Sequence, residues 1–324
     1  MVKDKKKEEK YLIYKATGGL AHMLGGLFYC VEIAKKREMF LIIDSLSADE
    51  FKMNFSDIFI FKNNISYSDK YDAIPKNYTY KGYSIEDIKN YSVKYSRLGG
   101  LGQYSIFDSY FISNTPKVEK ITIFAGPRKI KKLHGLKVTE KVKKEVVEKA
   151  SIPEKYISVH FRNTDRKNDL SLFIKKIKSA IKRYKINTIY LASDDYCTFY
   201  IIKKEIKNIT LIRNTIPPRN IHSLHYSSKD KYEDKYKQVV DCLVDIYVIL
   251  NSNVFIPSYN SGLSRFIINM IKNNENIFDI DKVHAIIVSQ NIFDIINKFR
   301  SYVRSIDFVC RKMFRKIFSF FNIF

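Results

Sequence analysis

Three polar clusters in the second half of the chain each follow an apolar run, and their residue types suit a charged ligand. The first is His160-Phe161-Arg162-Asn163-Thr164-Asp165-Arg166, after Tyr156-Ile157-Ser158-Val159. A guanidinium leaving a strand beside a turn can hold a diphosphate with paired donors, and it stays charged at any physiological pH. Asp165 could orient that arginine or accept a proton; an ordinary surface ion pair is the competing explanation. The second cluster, Ser193-Asp194-Asp195, follows Thr188-Ile189-Tyr190-Leu191-Ala192. A carboxylate there can accept two hydrogen bonds from the edge of a guanine base, cap a helix, or ligate a metal. The third, Ser258-Tyr259-Asn260-Ser261-Gly262, lies between an apolar run at 254–257 and a helical pattern beginning at Ser261. Free N–H groups and a serine hydroxyl at a helix start can hold an anion or simply cap the helix. A base acceptor, an arginine and a helix-terminus anion site are together what a nucleoside diphosphate requires.

The elements that must carry these clusters can be read from the pattern. Tyr11-Leu12-Ile13-Tyr14 reads as a buried strand, followed by a turn at Thr17-Gly18-Gly19. Leu20, Leu24, Leu27, Phe28, Val31 and Ala34 then share one helical face. Phe40-Leu41-Ile42-Ile43-Asp44 is the next strand, so a βαβ unit and a parallel sheet are expected. Residues 45–117 carry no assignable pattern, and Ile121-Thr122-Ile123-Phe124 reads as the last strand of this half. Pro127 and the basic run through Lys132 suit a linker. In the second half, strands at 156–161, 188–192, 209–212 and 254–257 alternate with helices at 172–184, 236–250 and 261–271. That alternation predicts a doubly wound α/β domain, whose ligands bind at the carboxyl ends of the strands.

The composition bounds the function. The 324 residues suit two domains at roughly 150 residues each, and 45% hydrophobic with 28% charged residues exclude disorder as a description of the chain. Lys+Arg 57 against Asp+Glu 34 gives +23, a field that favours nucleic acid, acidic lipid or a phosphorylated substrate. Cys30, Cys197, Cys242 and Cys310 are dispersed without C-x-x-C spacing, which argues against a zinc site or disulfide framework. The charged N-terminus lacks the apolar core of a signal peptide, and no run reaches about 18 apolar residues. A cytoplasmic protein is expected. Gly18-Gly19 with Gly25-Gly26 does not fit G-x-G-x-x-G, which disfavours a nicotinamide dehydrogenase. Asp279-Ile280-Asp281 is a D-x-D of the kind that binds manganese, at a spacing that chance also produces often. The histidines do not cluster at metal-ligand spacing, and the 23 tyrosines and 23 phenylalanines show no regular interleaving with lysine for base stacking.

Four segments also resemble one known family. Val159-His160-Phe161-Arg162-Asn163-Thr164-Asp165 is similar to the V-H-x-R-x-T-D segment of the α1,6- and O-fucosyltransferase superfamily, which includes the nodulation-factor fucosyltransferases. Ile189-Tyr190-Leu191-Ala192-Ser193-Asp194-Asp195 resembles its "YLATDD" strand end, and Ser258-Tyr259-Asn260-Ser261-Gly262-Leu263-Ser264-Arg265 its later S-x-S loop and helix. Gly18-Gly19-Leu20-Ala21-His22-Met23-Leu24 resembles its "GGLGNQL" turn. The order and rough spacing of all four agree, spanning residues 11–271.

The resemblance implies an α/β protein of the GT-B type, with two Rossmann-like domains facing across a cleft. It implies an inverting, metal-independent transfer of fucose, or a related sugar, from a GDP-sugar, with no cofactor. Arg162 would bind the β-phosphate and take up the leaving charge. Asp194, with Asp195, would meet the guanine, and His160 would lie beside the nucleotide. Ser258, Asn260, Ser261 and Gly262 would close on the diphosphate, with Ala21 and His22 on the opposite wall. The chain departs from the family where Ala21 and His22 replace the usual Gly and Asn, and where Asn163 replaces a second arginine of the α1,6 enzymes. The family's base carboxylate has no clean match; Asp165 and Asp169 are the nearby candidates.

The expected organisation is an acceptor-side domain over 1–135, a nucleotide-sugar domain over 136–285 and a helical segment over 286–324. In the last of these, Val303, Ile306, Cys310, Met313, Phe314, Ile317, Phe321 and Phe324 form one helical stripe beside Arg304, Arg311, Lys312, Arg315 and Lys316. A basic amphipathic helix over 301–324 suits the surface of an anionic membrane. The expected acceptor is an oligosaccharide, glycolipid or lipid-linked glycan of a cell-surface polysaccharide pathway, at the inner face of the membrane. The competing readings are a non-catalytic glycan-binding relative and a basic nucleic-acid-binding protein; for the second, no nucleic-acid-binding motif is found.

Overall fold

The computed structural model of the chain describes residues 10–16, 18–46, 51–76, 78, 84–90, 95–98, 101–104, 121–125, 132–163, 168–217, 235–280, 283 and 285–288. Asp165, Asp281, residues 127–131 of the expected linker and the amphipathic stretch 301–324 lie outside them.

The first βαβ unit forms as its pattern requires. β1 (Tyr11–Lys15) is buried at every position, the continuous apolar run of a parallel strand covered on both faces. Gly18 turns the chain at φ +70°, a conformation that disfavours a Cβ. α1 (Leu20–Arg37) then packs its apolar face on the sheet, and Lys35, Lys36 and Arg37 in its last turn complement the helix dipole. β2 (Phe40–Asp44) follows, parallel to β1 with Tyr11 opposite Phe40.

The stretch that carried no sequence pattern folds as short pieces. These are β3 (Phe59–Phe61), β4 (Tyr67–Ser68), α2 (Ile85–Asn90) and the hairpin of β5 (Tyr95–Leu98) with β6 (Leu101–Tyr104). Each is too short to express a period, and around β3 aromatic packing holds the chain. Phe55, Phe59, Phe61 and Tyr67 gather their rings at centroid distances of 5.3–6.1 Å. β7 (Ile121–Ala125) closes a four-stranded parallel sheet in the order β4-β2-β1-β7.

After β8 (Leu136–Val138) and α3 (Glu140–Lys149), strands and helices alternate as expected: β9 (Ile157–Phe161), α4 (Leu170–Tyr184), β10 (Thr188–Ser193), α5 (Tyr196–Glu205), β11 (Thr210–Ile212), α6 (Lys235–Leu250), β12 (Val254–Ile256), α7 (Gly262–Asn273) and β13 (Ile286–Ile287). They build a second parallel sheet in the order β11-β10-β9-β12-β13. α3 was not read from the sequence, because its only buried side chains are Val142 and Val146, a stripe too thin to stand out among lysines and glutamates.

The two sheets are tied together. β8 pairs antiparallel with β3, and the Val138 amide donates to the Ile277 carbonyl at 2.9 Å. One apolar cluster runs from β1 and α1 through Phe59 and Leu136 to α6 and α7. Asp279, from the D-x-D, braces this junction. Its two oxygens meet Lys62 Nζ at 2.6 Å and Lys137 Nζ at 2.8 Å, which holds its carboxyl down at about 2. Among the described residues no helix is long and apolar enough to cross a membrane.

Candidate functional site

Register decides what meets at the carboxyl edge of the second sheet. Ser193 pairs with Phe161 across β10 and β9, so the next residues, Asp194 and Arg162, leave the sheet side by side. Arg162 Nε lies 3.7 Å from Asp194 Oδ2. Asp194 Oδ1 accepts the Asn163 amide at 2.8 Å, which pins the carboxylate beside the arginine. β12 pairs with the other side of β9, with Ile256 opposite Val159, and so delivers the Ser258–Gly262 bend to the same edge.

Several polar residues of these clusters hold the loops together. The Ser258 hydroxyl donates to the His160 carbonyl at 2.8 Å and accepts the Arg162 amide at 3.1 Å, joining two strand ends. Asp195 caps α5, accepting from the Cys197 amide at 3.1 Å and the Thr198 hydroxyl at 2.7 Å, and it also receives Asn163 Nδ2 at 3.0 Å. Asp169 caps α4 through the Leu172 amide at 3.1 Å and the Ser171 hydroxyl at 2.6 Å, and the latter leads in holding its carboxyl below the usual range. His160 is buried, with Nδ1 2.6 Å from the Ser264 hydroxyl; burial pulls its pKa down to about 3, so the ring is neutral.

The Asn260–Gly262 bend is tied to the loop after β9. Asn260 reaches across to Asn168, donating Nδ2 to Oδ1 at 3.1 Å, while Asn168 donates to the Arg162 carbonyl. Ser261 stands at the N-cap of α7 but makes no side-chain capping bond. It is 1% exposed, and among the described residues its hydroxyl meets no hydrogen-bond partner. A buried, unpaired hydroxyl at the positive end of a twelve-residue helix with no acid in its first turn is poised for an anion.

The first half of the chain reaches this place through α1. A methyl group set on Gly262 would lie 3.5 Å from Ala21 Cβ and 3.6 Å from His22 Nε2. The first turns of α1 and α7 therefore abut, and neither contains an acid. The Tyr14 hydroxyl fixes the α1 turn by donating to the Met23 carbonyl at 2.7 Å. Arg162, Asp194, the Ser258–Gly262 bend and the Ala21–His22 turn thus converge. Among the described residues, no group of three or more His, Cys, Asp and Glu gathers as a metal site.

No family model and no curated protein sequence matches the chain. Solved structures do resemble it. The fucosyltransferase NodZ from Bradyrhizobium superposes with a TM-score of 0.53 at 12% identity, covering 81% of this chain and 93% of that one. POFUT1 in complex with GDP gives 0.55 at 10% identity, covering 88% of this chain and all 100% of that one. POFUT1 in complex with GDP-fucose gives 0.52, also at 10% identity, over 88% and 99%. The chain has the fold of the GT-B fucosyltransferases.

Within this fucosyltransferase-like fold, three further residues border the site: Asn163 and Asn168 stitch the loop after β9, and Ser264 bridges His160 and the Ser258 amide. Asp245 accepts the Tyr190 hydroxyl, and burial pushes its carboxyl up to about 7. A sequence signal for it existed: Asp241 and Asp245 interrupt the apolar run of Val239-Val240-Asp241-Cys242-Leu243-Val244-Asp245-Ile246. The asparagines carried none, because asparagine is common throughout this chain.

Proposed function

We propose that this chain is an inverting, metal-independent glycosyltransferase that transfers fucose, or a related sugar, from a GDP-sugar to a hydroxyl of a glycan or glycolipid. The observation that carries the reading is that Arg162, the Ser261 hydroxyl and two acid-free helix N-termini gather at one edge of the second sheet. Such a convergence has a use if a diphosphate binds there. The neighbours crystallised with GDP and GDP-fucose favour guanine as its base.

In this reading Arg162 and the α7 N-terminus take up the negative charge that grows on the departing diphosphate. Asp194 accepts the Asn163 amide and lies beside Arg162, where it orients the guanidinium; in this reading it also meets the guanine edge, since a carboxylate has lone pairs for more than one donor. Ser258 and Asn260 shape the bend, and Ser261 and Gly262 contact phosphate oxygen. His160 supports α7 from below.

Thermal unfolding across a panel of nucleotides tests the binding half. GDP at 100 times its Kd should stabilise the chain by about 2.7 kcal/mol, and oligonucleotides should not. Release of GDP from GDP-fucose in EDTA tests the catalytic half. Indifference to GDP would overturn the nucleotide site, and turnover that needs a divalent metal would overturn the mechanism.

A further inference from the structure

We propose that the outer face of α4 and α5 docks on an anionic lipid bilayer. The inference stands apart from the nucleotide-sugar reading, since it concerns a surface and not the site. The two helices cover one face of the second sheet. Phe173, Ile174 and Ile177 of α4 and Ile202 of α5 pack with Ile157, Val159 and Ile189 of the strands, while α6 and α7 join the core shared with the first sheet. α4 and α5 lie side by side, so their outward sides form one layer on the face turned away from α6 and α7.

That layer is basic without compensation. Lys175, Lys178, Lys182 and the C-cap Lys185 are exposed and recur at steps of three, four and three, which sets them along one line on the outside of α4. α4 carries no acid, and on α5 the exposed Lys203 and Lys204, with Lys207 after it, are accompanied by Glu205 alone. Among the described residues none of these seven lysines forms an ion pair. Like charges three and four residues apart on a helix repel, so the line costs stability unless an opposite charge lies over it. α3 shows the ordinary solution: Lys144 meets Glu148 at 3.9 Å and Lys149 meets Glu145 at 2.7 Å. Attraction to the helix C-terminus accounts for Lys182 but not for Lys175 and Lys178, which precede the last turn.

The same layer exposes apolar side chains. Tyr200 and Ile201 on α5 are 49% and 40% exposed, close in the chain to Lys203 and Lys204. Apolar groups beside uncompensated cations match a bilayer interface, where headgroups supply the negative charge and the boundary below them takes up rings and methyl groups. A nucleic acid would use the cations but leave Ile201 bare. Both helices begin at the carboxyl edge of the sheet, so a bilayer here lies beside the edge that carries Arg162 and Asp194.

The test uses the full chain with vesicles of phosphatidylglycerol and phosphatidylcholine, against phosphatidylcholine alone. The wild type should partition onto the anionic vesicles only, and less as salt rises. Lys175→Gln, Lys178→Gln, Lys182→Gln and Lys185→Gln together should weaken partitioning by about 10²–10³-fold, at about fivefold for each lysine. Lys35→Gln, Lys36→Gln, Lys144→Gln and Lys149→Gln together remove the same charge from α1 and α3, away from the layer, and should cost less than about threefold. The chain has no tryptophan, so Ile201→Trp reports on contact directly. Its emission should shift to the blue on anionic vesicles and be quenched by brominated lipid, whereas that of Val147→Trp, at an exposed position of α3, should not. Absence of any preference for anionic vesicles overturns the proposal. So does partitioning that survives the α4 substitutions, an equal loss in both quadruple variants, or an unshifted Ile201→Trp emission. An oligonucleotide held through the α4 lysines, without vesicle binding, would overturn it in favour of nucleic acid.

Discussion

At the carboxyl edge of each parallel sheet a cation leans on a carboxylate, yet the two pairs do different work. In the first sheet Lys15 Nζ lies 2.8 Å from Asp44 Oδ2, with the side chains 0% and 6% exposed. The Tyr71 hydroxyl donates to the same oxygen at 2.8 Å, and the Tyr71 ring lies 5.9 Å from the ammonium. Burial lowers the Lys15 pKa against the opposing pull of Asp44. In the second sheet Arg162 and Asp194 stand 3.7 Å apart, with side chains 19% and 9% exposed. The first pair is closed and structural. The second is looser and more exposed to solvent. Charge at a strand end therefore marks a site only where packing leaves the charge reachable.

Breaking each pair should expose that difference. Lys15→Met removes the ammonium that compensates a buried Asp44 and should destabilise the fold by about 3–5 kcal/mol in urea unfolding. Adding Asp44→Asn should recover most of the loss, since the buried charge goes with it. No recovery in the double variant would show that Lys15 acts through its packing instead.

Arg162→Ala should do the reverse, leaving the unfolding midpoint nearly in place while turnover of GDP-fucose falls about 10²–10³-fold. Near-normal turnover would refute its assignment to the leaving diphosphate. An unfolded variant would make the second pair as structural as the first.

A smaller effect comes from Asp245 on α6, which accepts the Tyr190 hydroxyl of the second sheet. Burial raises the Asp245 carboxyl from 3.8 to about 7. Between about pH 4 and pH 7 the folded chain keeps a proton that the unfolded chain releases, so this group makes the fold less stable as pH rises through that window. Asp245→Asn cannot ionise, and its melting temperature should fall less across the window than that of the wild type. Parallel curves would mean that Asp245 is ionised in the fold.

Much of the second half was legible because its signals are local. The runs at 188–192 and 254–257 end one residue from where β10 and β12 end, and the three polar clusters fall just past strand ends. Individual roles were less legible. Asp195 and Asp169, read as ligand groups, also cap helices, and the Ser258 hydroxyl joins two strands. A cap and a binding group have the same residue type at the same place, and only the count of partners around each oxygen separates them. The pairing of β3 with β8 left no trace at all, since three-residue strands far apart in the chain have no period to read.

By itself the sequence determined the alternation of strand and helix, the glycine turn before α1 and the positions of Arg162, Asp194 and Ser261 at the edge of a sheet. Those follow from side-chain periodicity and backbone preference, which act over a few residues. The tertiary structure alone decided that His22 on one sheet's helix meets Gly262 on the other's, that the Ser261 hydroxyl is buried without a partner, and that Lys15 is sealed while Arg162 is not. Each of these depends on how distant surfaces pack, and packing sets which polar groups lose water and which partners replace it.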